Sequence, residues 1–209
     1  MSSRIRSRGA FLALLGLSAL VACVDPKNRF DGFNERVVDA GQVVPRDGGG
    51  GLFDIDGEFL LAIAPGFSPD TPLRFVATAD ITIDGSSATL NLSFQPLAFD
   101  TCDEGNGGNE VGDPLESSDL PVDVAGFFQL THDGASVDAL ANPISCTVIV
   151  ADLVLDGVIQ SEDLFCGSVS GMVKQPIMTS LDGSTFGATR IEPGTRGDAN
   201  LPEPVKACP

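Results

Sequence analysis

The clearest pattern in the chain is an alternation of apolar and polar residues between positions 73 and 95. Apolar side chains occupy every second position of two runs, Leu73, Phe75, Ala77, Ala79, Ile81 and Ile83, then Ala88, Leu90, Leu92 and Phe94. Asp84-Gly85-Ser86-Ser87 separates the runs and has the composition of a turn. A period of two indicates half-buried antiparallel strands, so these residues predict a β-hairpin, with Pro96 at a bulge or an edge.

The rest of the chain after residue 54 also consists of short apolar stretches separated by turn residues, as expected for strands. Further strands are predicted at Gly57–Ala64, Val122–His132, Ile144–Leu155, Val158–Ile159 continuing towards Cys166–Lys174, and Ser184–Ile191. Turns are predicted at Asp133-Gly134, Asp156-Gly157 and Asp182-Gly183. No helical pattern lies between the strands, which argues against a parallel α/β fold. We therefore predict an all-β fold, an antiparallel meander of about eight strands closed into a barrel, with a two-sheet sandwich as the alternative.

The first residues follow a different pattern. Arg4, Arg6 and Arg8 precede an apolar run from Phe11 to Ala22, which is the order of an export signal. The run is too short to cross a bilayer, which takes about 20 apolar residues. It ends in Leu20-Val21-Ala22-Cys23, which resembles the lipobox of bacterial lipoproteins. An ordinary secretory signal is the alternative, but Leu20 is too large for its small-x-small cleavage motif.

This resemblance implies a location and a lipid. Residues 1–22 would be a lipoprotein signal peptide, and Cys23 would carry a diacylglycerol thioether that holds the protein on a membrane. Val24 after the cysteine favours the outer membrane of the cell envelope. Cys23-Val24-Asp25-Pro26, and Phe165-Cys166-Gly167-Ser168-Val169-Ser170-Gly171 further on, look like uncharacterised bacterial lipoproteins. That likeness implies an exported β-domain and supplies no activity.

Three segments follow from these patterns. Residues 1–22 are the signal peptide, residues 23–50 hold the lipid anchor, a short helix and a glycine-rich linker, and residues 51–209 form the β-domain. Asp25-Pro26 caps the predicted helix, whose apolar face carries Phe30, Phe33 and Val37. The glycines after Pro45 lack the Lys-Ser/Thr of a phosphate-binding loop, so we interpret them as a linker.

Composition narrows the partners. The 29 acidic residues outnumber the 12 basic ones and give a net charge of −17, which repels nucleic acid. The chain has no Trp and no Tyr, which argues against stacking of sugars. The lipobox resemblance implies the membrane as a partner, through the lipid anchor, and we expect a protein of the envelope as a further partner. The sequence does not identify a ligand and predicts no cofactor.

Five cysteines are present, and four of them follow the lipidated Cys23. In an oxidising compartment an even number predicts two disulfides, for which three pairings exist. We favour Cys102–Cys146, which closes an acidic loop, and Cys166–Cys208, which ties down a proline-rich tail. A zinc site is the alternative, but the four cysteines form no CxxC pair.

The acidic loop lies between Asp100 and Asp119, where the alternation stops. It has seven acids and no Lys or Arg, and Asp100, Asp103 and Glu104 are its calcium candidates, since calcium prefers clustered oxygens. The spacing fits no EF-hand, so we interpret it as a solvated loop and predict no metal.

No sequence motif in the chain indicates a catalytic site. His132 is the only histidine and is predicted at a hairpin tip. The stretch from Gly167 to Gly171 places Val169 where a nucleophile elbow needs serine. We predict a lipid-anchored, non-enzymatic binding or structural module with a filled interior. The alternatives are a barrel that carries a small apolar ligand and, less favoured, a carboxylate-dependent hydrolase.

Overall fold

The computed structural model describes residues 52–209, and the signal, Cys23, the predicted helix and the linker lie outside this range. The described residues form nine strands and one short 3₁₀ helix: β1 Gly57–Ala64, β2 Leu73–Asp84, β3 Ser87–Pro96, β4 Leu115–Val122, β5 Phe127–Val137, the 3₁₀ helix Ala139–Ala141, β6 Ile149–Ser161, β7 Leu164–Gln175, β8 Thr179–Ser180 and β9 Ser184–Arg190. Among residues 52–209, no helix is long and apolar enough to cross a membrane.

Eight strands form one antiparallel sheet that is nearly closed into a barrel, which confirms the predicted all-β barrel. Their order is β4-β3-β2-β1-β9-β7-β6-β5, and β8 pairs only with β7. The first and last long strands pair from Phe59↔Arg190 to Ala64↔Thr185. An up-and-down meander places consecutive strands side by side, so this pairing brings the two ends of the meander together.

The interruption in the barrel lies instead between β4 and β5, a line that we call the seam. These strands are consecutive in the chain, and the turn between them contains a hydrogen bond from Asp123 N to Phe127 O of 3.0 Å. Beyond that turn, no ladder joins β4 to β5 in the described part of the chain. The edges of both strands therefore face each other without backbone pairing.

The two ends of the barrel differ in their connections. The end that we call the base has the turns at residues 85–86, 123–126 and 162–163, together with the incoming segment 52–56. The end that we call the mouth has the longer loops, at residues 65–72, 97–114, 138–148 and 176–183.

The base half of the interior is filled by aromatic rings. Phe165 packs edge-to-face against Phe59, Phe186 and Phe128, with ring centroids 5.0, 6.4 and 6.1 Å apart. Gly157 makes room for this cluster, because a Cβ atom there would overlap the ring of Phe128. Such fully buried rings contribute most of the hydrophobic stabilisation of a small core.

Arg190 closes the base below these rings. Its guanidinium lies 4.7 Å from the ring centroid of Phe59. It donates to the carbonyl oxygen of Asp56 at 2.8 Å and to the carboxylate of Asp163 at 3.0 Å. Ile55, which is fully buried, adds an apolar side chain from the incoming segment.

The C-terminal segment 191–209 covers part of the outer wall. Val205 lies against Gly187 of β9, and Thr185 donates a hydrogen bond to Lys206 O at 2.7 Å. Arg196 bonds Glu58 at 3.1 Å and Glu110 at 2.6 Å. Burial raises the pKa of Glu58, but the hydrogen bonds from Arg196 and Gly194 outweigh it, so this pKa lies below its ordinary value.

Three local predictions are wrong, each for a physical reason. The predicted turn at Asp133-Gly134 is a bulge inside β5, between His132 and Ala135. Asp156-Gly157 lies inside β6 because its glycine accommodates Phe128, and the chain turns at Glu162-Asp163 instead. β4 lies partly in the predicted acidic loop, because an edge strand with mostly exposed residues carries little alternation.

Candidate binding site in the mouth of the barrel

The mouth half of the interior is not completely filled. A cavity of about 60 Å³ lies there, and all seventeen residues that line it are apolar. They come from most strands of the barrel and from three mouth loops, and include Phe75, Phe94, Leu115, Ala135, Leu153 and Val173. A cavity without polar partners stays dry, so its free volume is available to apolar groups.

This cavity corrects the prediction of a filled interior at one end only. The base half follows that prediction, whereas in the mouth half Ala135 and Ala151 face the cavity with minimal side chains. The volume is smaller than the roughly 150 Å³ cavity known to hold a benzene ring. The cavity as it stands therefore fits the end of a chain better than a whole ligand.

Exposed apolar side chains surround the opening. We call the loops 65–72, 142–148 and 176–183 the rim. Phe67 and Ile144 line the cavity while 51% and 41% exposed, and Ile177 and Met178 are 75% and 74% exposed. These three loops carry only Asp70 and Asp182, whereas the fourth mouth loop, at residues 97–114, carries most of the acids of the acidic loop. Large apolar side chains that cluster on a surface and are rimmed by polar residues usually mark a binding site.

A polar pair lies at the seam, beside the residues that line the cavity. Ser117 Oγ of β4 and His132 Nε2 of β5 are 3.1 Å apart. Ser117 is paired with Leu92 and His132 with Leu153, both core residues. Directly paired residues share a face of the sheet, so Ser117 and His132 point into the barrel.

Burial affects the protonation of this pair. Desolvation lowers the pKa of His132 below its ordinary value, so the imidazole is neutral at pH 7. A neutral imidazole has one donor and one acceptor nitrogen, and a hydroxyl donates and accepts. Together the two side chains offer both kinds of hydrogen bond within an otherwise apolar wall.

The cysteines pair as we favoured. Cys102 bonds Cys146, and Cys166 bonds Cys208. The first disulfide ties the acidic loop to the loop that carries Ile144, and the second fixes the C-terminal segment on the outer face of β7. The four cysteines of the described range are therefore structural, and Cys23 lies outside that range.

Two of the calcium candidates accept hydrogen bonds from other residues of the acidic loop. Asp100 accepts a hydrogen bond from Gly107 N at 2.9 Å, and Asp103 accepts one from the amide of Asn106 at 3.1 Å. Within residues 52–209, no group of three or more His, Cys, Asp or Glu side chains could hold a metal ion. Asp100, Asp103 and Glu104 are therefore not brought together as a site.

The residues considered for catalysis lie in two different strands, β5 and β7. His132 lies within β5 rather than at a hairpin tip, and Asp133 beside it is exposed in the bulge. The Gly167–Gly171 stretch lies inside β7, where Val169 points into the core. The sequence did not predict the Ser117–His132 contact, because it gave no sign that residues 115–122 form a strand.

The comparisons with known proteins give no relative. No family model matches the chain, and neither a curated protein nor a solved structure is significantly similar to it.

Proposed function

We propose that this chain is a lipid-anchored protein of the cell envelope, which binds an apolar group in the mouth of its β-barrel. The observation that carries this proposal is the wholly apolar cavity beneath a rim of exposed apolar side chains. The proposal combines the binding module and the apolar carrier expected from the sequence. It favours binding over catalysis, because no polar side chain lines the cavity.

Hydrophobic burial supplies the driving force. Each CH₂ group removed from water gains about 0.8 kcal/mol, and burial of a large rim side chain gains about 1.5–3 kcal/mol. A few carbons of a chain in the cavity, with its remaining carbons against Phe67 and Ile144, would use both contributions. An apolar molecule with a few inserted carbons would thereby bind reversibly, which suits a module that accepts and releases a ligand.

The proposed anchor is compatible with a free mouth. The described chain starts at residue 52 on the base, so the tether joins the domain at the end away from the rim. Residues 24–51 number 28 and would reach at most about 90–100 Å if fully extended, and less with the predicted helix formed. β7 has 12 residues and spans about 40 Å. This segment would thus be long enough for the mouth to meet a ligand at the membrane or away from it.

Photolabelling of the full chain in its own membranes tests the proposal. An alkane carrying a diazirine is added, the sample is irradiated, and labelled peptides are mapped by mass spectrometry. We expect labels on the cavity lining and the rim. Ala135→Leu, which fills the cavity, should reduce this labelling several-fold, whereas Ala125→Leu in the base turn should not. Labels spread evenly over the outer wall, or unchanged in Ala135→Leu, would contradict the proposal.

A further inference from the structure

Among the described strands of the barrel wall, the seam is the line that no backbone ladder closes. Every other pair of neighbouring strands in the barrel is joined by a backbone ladder. Between β4 and β5, the described structure has the turn at residues 123–126 and the side-chain contact from Ser117 to His132. Parting these strands therefore breaks no ladder hydrogen bond, while the loops next to their mouth ends stay joined by the Cys102–Cys146 disulfide and by a hydrogen bond from Phe99 N to Leu140 O of 3.0 Å.

The cavity lies directly against this seam. Leu115 at the start of β4 lines it from one side, and Ala135 and Val137 at the end of β5 line it from the other. A small separation of β4 from β5 would therefore enlarge the cavity into a slot along the seam. Such a slot has apolar walls towards the mouth and the Ser117–His132 pair at its inner end.

The Ser117–His132 pair and the charges around it determine which polar group of a ligand could bind at the seam. Ser117 and His132 together offer a donor and an acceptor. β4 and β5 carry Glu116, Asp119 and Asp133, and no Lys or Arg. These acids are exposed, so a carboxylate or phosphate on the pair would not touch them. It would still lie within two residues of negative charges with no cation on either strand, which is unfavourable. A neutral hydroxyl meets no such penalty.

We infer that the seam binds a neutral, single-chain amphiphile, such as a long-chain alcohol, with its hydroxyl on Ser117 and His132 and its chain in the cavity. This inference rests on the proposed function, because it names the ligand class of the same cavity. It also gives the two polar side chains a role in specificity, since a few placed polar groups orient a ligand in an apolar pocket.

Three photoreactive compounds of equal chain length test the inference on the full chain in its own membranes: an alcohol, an alkane and a carboxylic acid, each with the same diazirine. We expect the alcohol to label residues 115–122 and 127–137 at about tenfold lower concentration than the alkane, which is the effect of a net hydrogen-bond contribution near 1.4 kcal/mol. The acid should show no such advantage.

Matched variants isolate the pair. Ser117→Ala and His132→Phe should each bring the alcohol close to the alkane level, and alkane labelling should persist. Ser118→Ala and Thr131→Val change exposed neighbours on the same strands and should leave the preference intact. Ser117→Ala removes one oxygen atom, so it remains informative if His132→Phe fails to fold.

The outcomes separate the two proposals. Equal labelling by alcohol and alkane in the wild type, an alcohol preference that survives both variants, or a preference for the acid would overturn the inference and leave apolar binding in place. If no compound labels the cavity, the proposed function fails as well.

Discussion

The base and the mouth of the same barrel differ in how their interiors are packed. The base has tight turns, four interlocking phenylalanine rings and Arg190 across the opening. The mouth has longer loops, a cavity and exposed apolar side chains. Both ends bury core residues, and the base also exposes Val124 and Phe127, but only the mouth combines exposed apolar side chains with free volume in the interior, where we propose that a ligand binds. This contrast predicts that the fold tolerates substitutions at the rim better than in the ring cluster of the base.

The largest expected effect concerns the tether to the base. If Cys23 is acylated, Cys23→Ala should move the protein from the membrane fraction to soluble fractions, or leave it unprocessed, because its acyl chains are the proposed membrane attachment. Cell fractionation with immunoblotting measures this. Val24→Ala, next to the lipobox, serves as the control and should stay with membranes. A Cys23→Ala protein that is processed and sediments with membranes like the wild type would remove the anchor from the account.

A pair of phenylalanine truncations compares the two ends directly. Phe165 is fully buried, and Phe67 is 51% exposed. Phe165→Ala should lower the free energy of unfolding by about 3–5 kcal/mol, whereas Phe67→Ala should change it by less than about 0.5 kcal/mol. Chemical denaturation of both variants gives the values. Similar losses in the two would mean that the rim is part of the core.

The two disulfides should contribute similar amounts to stability, although one lies on the barrel wall and the other at the mouth. Cys166–Cys208 fixes the C-terminal segment on the wall, and Cys102–Cys146 joins two mouth loops. The paired cysteines are 42 residues apart in Cys166–Cys208 and 44 apart in Cys102–Cys146. Because each bridge restricts the unfolded chain to a similar degree, each should add about 2–4 kcal/mol to the free energy of unfolding. Replacing both cysteines of one bridge with serine, one bridge at a time, tests this by thermal unfolding. Intact-mass analysis that finds two or more free thiols in the wild type would contradict the pairing.

The smallest expected effect is the pH response of the seam. Burial lowers the pKa of His132 in the folded state, so the unfolded chain binds the proton more readily. The contribution of His132 to the free energy of unfolding is greatest above the pKa of about 6.5 that the residue has in the unfolded chain. This contribution is lost as the pH falls towards the lowered pKa of the folded state. The melting temperature should therefore fall less between pH 7 and pH 5 in His132→Gln than in the wild type. Equal slopes would show that His132 does not couple the seam to pH.

Whether a strand could be predicted from the sequence depends on how much of it is buried. The hairpin of β2 and β3 was predicted closely, because one face of each strand is buried and alternation is then required. β4 was missed, since only Val122 of its eight residues is buried. Gly157 was interpreted as a turn residue, because the sequence does not reveal that the ring of Phe128 needs its space.

The site was less predictable than the fold for a related reason. The cavity arises from what distant residues leave unfilled, and no local pattern records a missing volume. The contact between Ser117 and His132 depends on a strand that alternation did not reveal and on a bulge at Asp133-Gly134 that had been predicted as a turn. The disulfide pairing was favoured correctly because a proline-rich tail and a long acidic loop each needed one attachment.

The central claim is that the mouth holds an apolar molecule, and native mass spectrometry of the full chain isolated from its own membranes tests it most directly. We predict one neutral, apolar molecule per wild-type chain. It should be lost in Ala135→Leu, which fills the cavity, and retained in Ala125→Leu at the base. A wild-type chain without such a molecule, or the same molecule bound equally to Ala135→Leu, would contradict the account.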